Sequence, residues 1–405
     1  MEPLPTARHT GRVDRLPQDS ACRPLADACG CVVDAVLDCE RDARGRPAEI
    51  GPSNGRGYVS GMTMPSAPDV LSIAMQLMAT ESTTGNEGRV MTVAEGILSG
   101  LGWNVRRIPV TPGRDNLLAW GDQPVELVFS THLDTVPPYH PPRIEGDRLL
   151  GRGACDAKGI AAAMICAATT LREQGLAVGV LLVVGEEAPH DGARAANAVP
   201  NKCRVLINGE PTESKLAIGT KGALRCTVTT RGRAAHSAYP HLGVSATSNL
   251  VKLLSELETL PLPTHPVLGA TTVNIGALAG GVADNVVAPE ATARLMVRLV
   301  TPAEETIALL RSWLGDRGEL AIETVVQPVL LGSVPGFDTD VVAYATDVPE
   351  LSNWGTPYLF GPGSIQVAHT DHEYIEISEL RAAVAAYERL AEGAYGRAPG
   401  FTSTL

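Results

Sequence analysis

The chain has 405 residues, 44% apolar, 4% aromatic and 19% charged, with a formal net charge of −12. These fractions exclude a collagen-like, coiled-coil, disordered or minimal disulfide-scaffold chain, and the length corresponds to roughly two or three typical domains. Net acidity argues against nucleic acid or an anionic membrane as partner, since both select clustered Lys and Arg, whereas it suits a chain that holds divalent cations in carboxylates.

Residues 1–61 are rich in Arg, Asp, Pro and Gly, with apolar density only at 31–37, and are expected to form a disordered extension without a catalytic part. Four of the eight cysteines lie there (Cys22, Cys29, Cys31, Cys39), and the rest (Cys155, Cys166, Cys203, Cys226) stand singly. No C-x-x-C pair occurs, so reduced, buried thiols are expected rather than a zinc ribbon or a redox motif. No apolar run approaches the roughly 18 residues of a membrane span, and the N-terminus has no apolar leader block, so a cytoplasmic protein is expected.

Helical periodicity begins at Val70, Leu71, Ile73, Ala74, Leu77 and Met78 and returns over residues 90–101, ending at Gly102. Strands are expected at 104–110, 116–120 and 125–130, then a small-residue helix at 157–171 and the most apolar strand, VGVLLVV, at 178–184. A short helix and a strand at 204–207 come next. Continuous β-branched runs separated by helices imply an α/β catalytic domain with a mainly parallel sheet covered on both faces, over residues 62–219 and 328–405. Between 220 and 327 the texture changes to alternating strands (224–230, 271–277, 292–300) and amphipathic helices (243–257, 302–314). That order predicts an inserted α+β lid domain. Two more helices, at 335–346 and 378–392, are expected to return to the first domain.

Hard-metal donors stand where the parallel strands should end. His132 and Asp134 follow the strand at 125–130 as H-L-D and share one face of an extended chain, so one can bind metal while the other fixes its tautomer. Asp156 lies in the loop Gly151-Arg152-Gly153-Ala154-Cys155-Asp156-Ala157-Lys158-Gly159, which lacks the G-K-[ST] ending of a phosphate loop. Glu186 and Glu187 close the most apolar strand, where a turn is the ordinary expectation, and Glu210 closes the next. His369 comes later in Ala368-His369-Thr370-Asp371-His372-Glu373. Ligand sites in open α/β sheets gather at the carboxyl ends of strands, so these groups can converge.

Taken together, these motifs strongly resemble those of the M20 zinc peptidases and deacylases, from about Met64 to the C-terminus. The resemblance implies two Zn²⁺ ions, for which Co²⁺ can substitute, held by His132, Asp156, Glu187, Glu210 and His369, with Asp156 bridging. It makes Asp134 the residue that orients His132 and Glu186 the general base toward a metal-activated water. In the lid, Arg233-Ala234-Ala235-His236-Ser237-Ala238-Tyr239-Pro240 matches a segment whose histidine stabilises the oxyanion, often in the active site of the other subunit, so His236 is a catalytic candidate and a homodimer through the lid is implied. Asn274, Arg298, Gly361 and Ser364 occupy positions similar to substrate contacts. His372, before Glu373, departs from the carboxylate or small residue usual there.

The resemblance implies amide hydrolysis on a small N-acyl amino acid or peptide. Residues 361–374, GPGSIQVAHTDHEY, read most like an acetylornithine deacetylase. A succinyl-diaminopimelate or carrier-linked lysine hydrolase, and a carboxypeptidase or dipeptidase, are the alternatives within the family. A metal-poor binding protein with the same fold is the alternative outside it, opposed by the complete donor set.

Overall fold

In the computed structural model, which describes residues 68–396, the most apolar runs of the sequence lie at the middle of a nine-stranded mixed sheet. The expected disordered extension, residues 1–61, lies outside the described residues, which all belong to the unit beginning at Met64. The sheet order is Asn104–Thr111, Arg114–Trp120, Val178–Val183, Leu127–His132, Val205–Asn208, Thr356–Leu359, Leu216–Thr220 and Val329–Leu330, with Thr339–Val342 also on Leu216–Thr220. The four strands from Val178–Val183 to Thr356–Leu359 are mutually parallel. Every residue of Leu127–His132 and Val178–Val183 is buried, as two-sided covering requires. The first two strands are antiparallel because their connection is short: Thr111 and Arg114 face each other across a tight turn, which cannot join parallel strands.

The helix Lys158–Glu173 is buried around most of its circumference, and its five alanines and one glycine let neighbours approach closely. It packs between the sheet and the helices Val70–Met78 and Ile377–Tyr395. Gly159 marks the tightest approach, since a Cβ there would lie 2.2 Å from the Ala154 carbonyl oxygen. Asp69 caps the first helix by accepting from the Ser72 amide at 3.1 Å.

One predicted element is overturned. The helix expected at 335–346 is instead a bend followed by the strand Thr339–Val342, running parallel to Leu216–Thr220. Pro335 and Gly336 weaken a helix start, and Val341 and Val342 favour an extended chain once a free strand edge is available. This path carries Tyr344 and Asp347 back over the carboxyl ends of the central strands.

A second, antiparallel sheet has the order Thr272–Gly280, Glu290–Leu299, Gly222–Arg231, Glu319–Val326. Period-two alternation buries Leu224, Cys226, Val228, Leu295 and Val297 against the helices Ala246–Glu256 and Ala303–Leu314. The intervening residues, among them Arg225, Arg294, Met296 and Arg298, form the opposite face. No helix among the described residues is long and apolar enough to cross a membrane, and the four described cysteines are unpaired.

Candidate active site

Strand register alone brings three donors together. His132 pairs with Val183 across one parallel ladder, so the strand ahead of Glu186 and Glu187 ends level with it. Ser130 pairs with Asn208 across the other, which sends Glu210 to the opposite flank of His132. The Glu186 loop is pinned at both ends by one buried amide. Asn116 accepts from Val184 N at 3.1 Å and donates to the Gly192 carbonyl at 2.8 Å.

The five proposed ligands form two groups that share Asp156. His132 Nε2 lies 3.1 Å from Asp156 Oδ1 and 4.0 Å from Glu210 Oε1. His369 Nε2 lies 3.2 Å from Asp156 Oδ2 and 3.0 Å from Glu187 Oε1. Donors about 2.0–2.1 Å from a tetrahedral zinc are about 3.3 Å from one another, so these spacings fit two metal shells joined by one carboxylate. Glu210 Oε1 is buried without a hydrogen-bond partner, as an oxygen reserved for a cation would be. Imidazole with carboxylate is a donor set suited to zinc.

Asp134 holds both halves of the site. Its Oδ1 accepts from Glu186 N at 3.0 Å, and its Oδ2 accepts from Glu187 N at 3.2 Å and from the Thr84 hydroxyl at 2.9 Å. Its Oδ1 is also 3.5 Å from His132 Nδ1, which lies 3.0 Å from the Asp134 main-chain oxygen. Asp134 therefore orients the imidazole and aims the two glutamates together.

A second buried carboxylate, Glu373, holds the loop of Asp156. Its Oε1 accepts from the amides of Gly153, Cys155 and Asp156 at 2.9, 3.2 and 3.2 Å, and its Oε2 meets Arg152 Nη1 at 2.7 Å. Gly361 fits closely against Glu210: a Cβ there would lie 2.4 Å from the Glu210 carbonyl oxygen. His369 is held with φ at 63°, a left-handed conformation uncommon outside glycine and found at strained functional positions.

The electrostatics follow from burial and crowding. Desolvation opposes ionisation of Asp156, but hydrogen bonds from His132 and His369 prevail and hold its carboxyl below the usual range. Those to Asp156 and Glu187 raise the His369 imidazole to about 10. Burial, reinforced by the Glu210 charge, pushes Glu186 well above the ordinary carboxylate value. Glu210 is raised by burial too, against the pull of His132 and with the push of Asp156. A site with so many carboxylates out of water is stable only when protons or cations balance them.

Asp156, Glu187, Glu210 and His369, with His132 buried behind them, line a cleft of about 430 Å³ that is also lined by the free face of the second sheet, with Arg225, Arg294, Met296 and Arg298. Burial and the Arg225 charge pull the Arg298 pKa down, while Arg294 lies 3.4 Å from Glu323. Tyr344 also lines the cleft and donates to the Pro211 carbonyl at 2.9 Å.

Comparison with known sequences gives a profile match, described as Peptidase family M20/M25/M40, over residues 128–393. The chain belongs to this family. It is a hydrolase of amide bonds. A peptidase M20 domain-containing protein of Schizosaccharomyces pombe is 38% identical over 81% of this chain and 85% of its own length. A protein of Aspergillus flavus named probable carboxypeptidase is 36% identical over 87% and 94%. Among solved structures, an M20 family metallo-carboxypeptidase of Sulfolobus solfataricus shares the fold with a TM-score of 0.64 at 17% identity, over 81% of this chain and 99% of that one.

In this M20 chain the remaining sequence candidates are placed unevenly. Arg298 faces the cleft. Asn274 pairs with Met296 on the same sheet but does not line the cleft. His236 is exposed, with Nδ1 accepting from Ala238 N at 3.1 Å, and it too is outside the cleft walls. The Gly361 amide donates to Thr212 Oγ1 at 3.0 Å, and the Ser364 hydroxyl donates to Glu213 at 3.0 Å, so this turn braces the Glu210 segment. Its neighbour Ile365 lines the cleft instead. His372 is exposed, its amide bonded to Thr370 Oγ1 at 3.3 Å.

Sequence reasoning missed Glu373, Arg225, Tyr344, His190 and Asp347. Arg152 and Glu373 stand within a few residues of Asp156 and His369, and a charged pair flanking proposed ligands was the available signal. The strand alternation at 223–227 signalled Arg225. Nothing local marked Tyr344, whose path is expected as a helix, or Asp347 just after it.

Proposed function

We propose that this chain is a dizinc carboxypeptidase of family M20, cleaving the amide bond beside a free carboxylate in small peptides or N-acyl amino acids. The observation that carries the reading is a cleft with a carboxylate–imidazole cluster on one wall and Arg298, flanked by Arg225, on the other. Arg suits a planar carboxylate because it donates in bidentate fashion. The carboxypeptidase name of a relative at 36% identity supports this choice over acetylornithine deacetylation, which would use the same machinery with an acetyl group in place of the peptidyl part.

In this reading His132 and Glu210 would hold one zinc and His369 and Glu187 the other, with Asp156 available to both. When bound, the ions supply Lewis acidity toward the scissile carbonyl and the attacking water. Glu186, buried and pointed into the cleft by Asp134, accepts the proton of that water and returns it to the departing nitrogen. Arg298 fixes the terminal carboxylate, which sets the register of the scissile bond. The second sheet and its helices, residues 220–327, serve as lid. Its edge strand Thr272–Gly280 is almost wholly exposed and leaves Ile275 and Leu278 in solvent, with Val282 exposed just beyond it. We assign this edge to a homodimer, from whose second copy His236 would reach the cleft as oxyanion donor.

The test uses paired substrates with a free or an amidated C-terminus, at two zinc per chain. Turnover confined to free-carboxylate substrates, with Arg298→Ala costing about 100-fold in kcat/KM on them, is expected for loss of a bidentate ion pair worth about 3 kcal/mol. Equal turnover of amidated substrates refutes the carboxypeptidase reading. Glu186→Gln must retain zinc and lose turnover; a zinc-free protein without hydrolysis would instead mark a binding protein.

A further inference from the structure

A third donor group adjoins the same cleft, outside the five proposed ligands: Glu186 and His190 line it and Asp347 is buried behind them. One ligand atom each from Glu186, His190 and Asp347 lies within 4.8 Å of the others. His190 Nδ1 and Asp347 Oδ1 are 2.8 Å apart, in hydrogen-bond contact, so both would have to part slightly to share a cation. Asp347 is 1% exposed, and its second oxygen, Oδ2, is buried without a hydrogen-bond partner. Nearby Arg194 is directed to Glu350, at 3.7 Å, so it does not serve Asp347.

Charge points the same way. Asp134, Asp156, Glu186, Glu187, Glu210 and Asp347 are six carboxylates around one cleft wall, and two divalent cations would balance four of them. We assign the remaining two to Glu186 and Asp347, each of which places a ligand atom within 4.8 Å of His190. Two buried carboxylates beside an imidazole, with Asp347 Oδ2 left without a partner, form a site that gains from a cation.

We propose that Glu186, His190 and Asp347 form a third, weaker divalent-metal site, and that Zn²⁺ bound there occupies the general base and stops turnover at excess metal. The inference rests on the dizinc reading and on Glu186 as base. One nitrogen and two carboxylate oxygens are a donor set suited to Zn²⁺ and Co²⁺. Binding displaces to solvent the proton shared by His190 and Asp347, together with any proton carried by Glu186, and the freed imidazole lone pair goes to the metal. That displacement, and the two cations already present, make the third site weaker than the first two.

The experiment is equilibrium dialysis of the two-zinc enzyme against graded Zn²⁺, with bound metal and hydrolysis measured on the same samples. A third equivalent is expected, with inhibition following its occupancy. Asp347→Asn and His190→Gln are expected to keep two zinc ions and their turnover at two equivalents, to bind no third, and to need at least tenfold more Zn²⁺ for half inhibition. Saturation of the wild type at two equivalents overturns the proposal, as does a third equivalent without inhibition, or equal inhibition midpoints in wild type and both variants. Failure to bind the first two equivalents defeats the dizinc reading instead, so the two failures are told apart.

Discussion

Glu373 and Arg152 provide the sharpest test of how the bridging aspartate is held. Both side chains are 1% exposed, and the pair is 2.7 Å apart. Glu373→Gln keeps a carbonyl for the amides of Gly153, Cys155 and Asp156 but leaves the guanidinium without its counter-charge. Removing one partner of a buried ion pair costs about 3–5 kcal/mol. Arg152 retains the carbonyls of Pro138 and Thr370, both at 3.2 Å, which places the cost at about 3 kcal/mol, the lower end of that range. At about 2 °C per kcal/mol for a chain of this size, calorimetry should show Tm falling by about 6 °C. Because the displaced loop carries Asp156, chelator competition should show zinc affinity falling about 10–100-fold, as for other groups that support metal ligands. The double variant Arg152→Met/Glu373→Gln, which leaves no charge unpaired and keeps the acceptor for the three amides, should be more stable than Glu373→Gln. A Tm within about 1 °C of wild type and unchanged zinc affinity in Glu373→Gln would refute this account of the loop.

Two further outcomes stem from close packing and from burial. Gly361→Ala sets a methyl group 2.4 Å from the Glu210 carbonyl and 2.9 Å from Ile160 Cδ1, so it should destabilise by about 1–3 kcal/mol, as overpacking does, and weaken the zinc site of Glu210 more than that of Glu187; denaturant melts and stepwise zinc titration check this. Burial pushes the Cys166 and Cys203 thiols up to about 12 and that of Cys226 up to about 11. An unfolded thiol ionises at about 8.5, so above that pH the unfolded chain sheds protons that the folded one keeps, and stability falls as pH rises toward about 11 to 12. Denaturant midpoints from pH 8 to pH 11 should fall less steeply in Cys166→Ala/Cys203→Ala than in wild type; parallel curves would show that these thiols do not contribute.

How much of this was legible in the sequence depended on how far each interaction reaches along the chain. The H-L-D pair, the Glu-Glu step and Glu210 each close a strand, and parallel register converts that common position into proximity: His132 beside Val183, Ser130 beside Asn208. Local pattern therefore sufficed for the metal groups. The clamps behind them were hidden because they are set by packing between distant segments. Glu373 reaches back to the amides of 153–156, and Asn116 ties Val184 to Gly192, pairings that no periodicity encodes. The misread helix at 335–346 shows the other limit. Its Val341 and Val342 become strand only because Leu216–Thr220 offers an edge, and that edge exists only once the sheet has formed. The consequence is chemical as well as structural, since the same extended path delivers Asp347 to His190. A helix in its place would have left Glu186 with no third donor beside it.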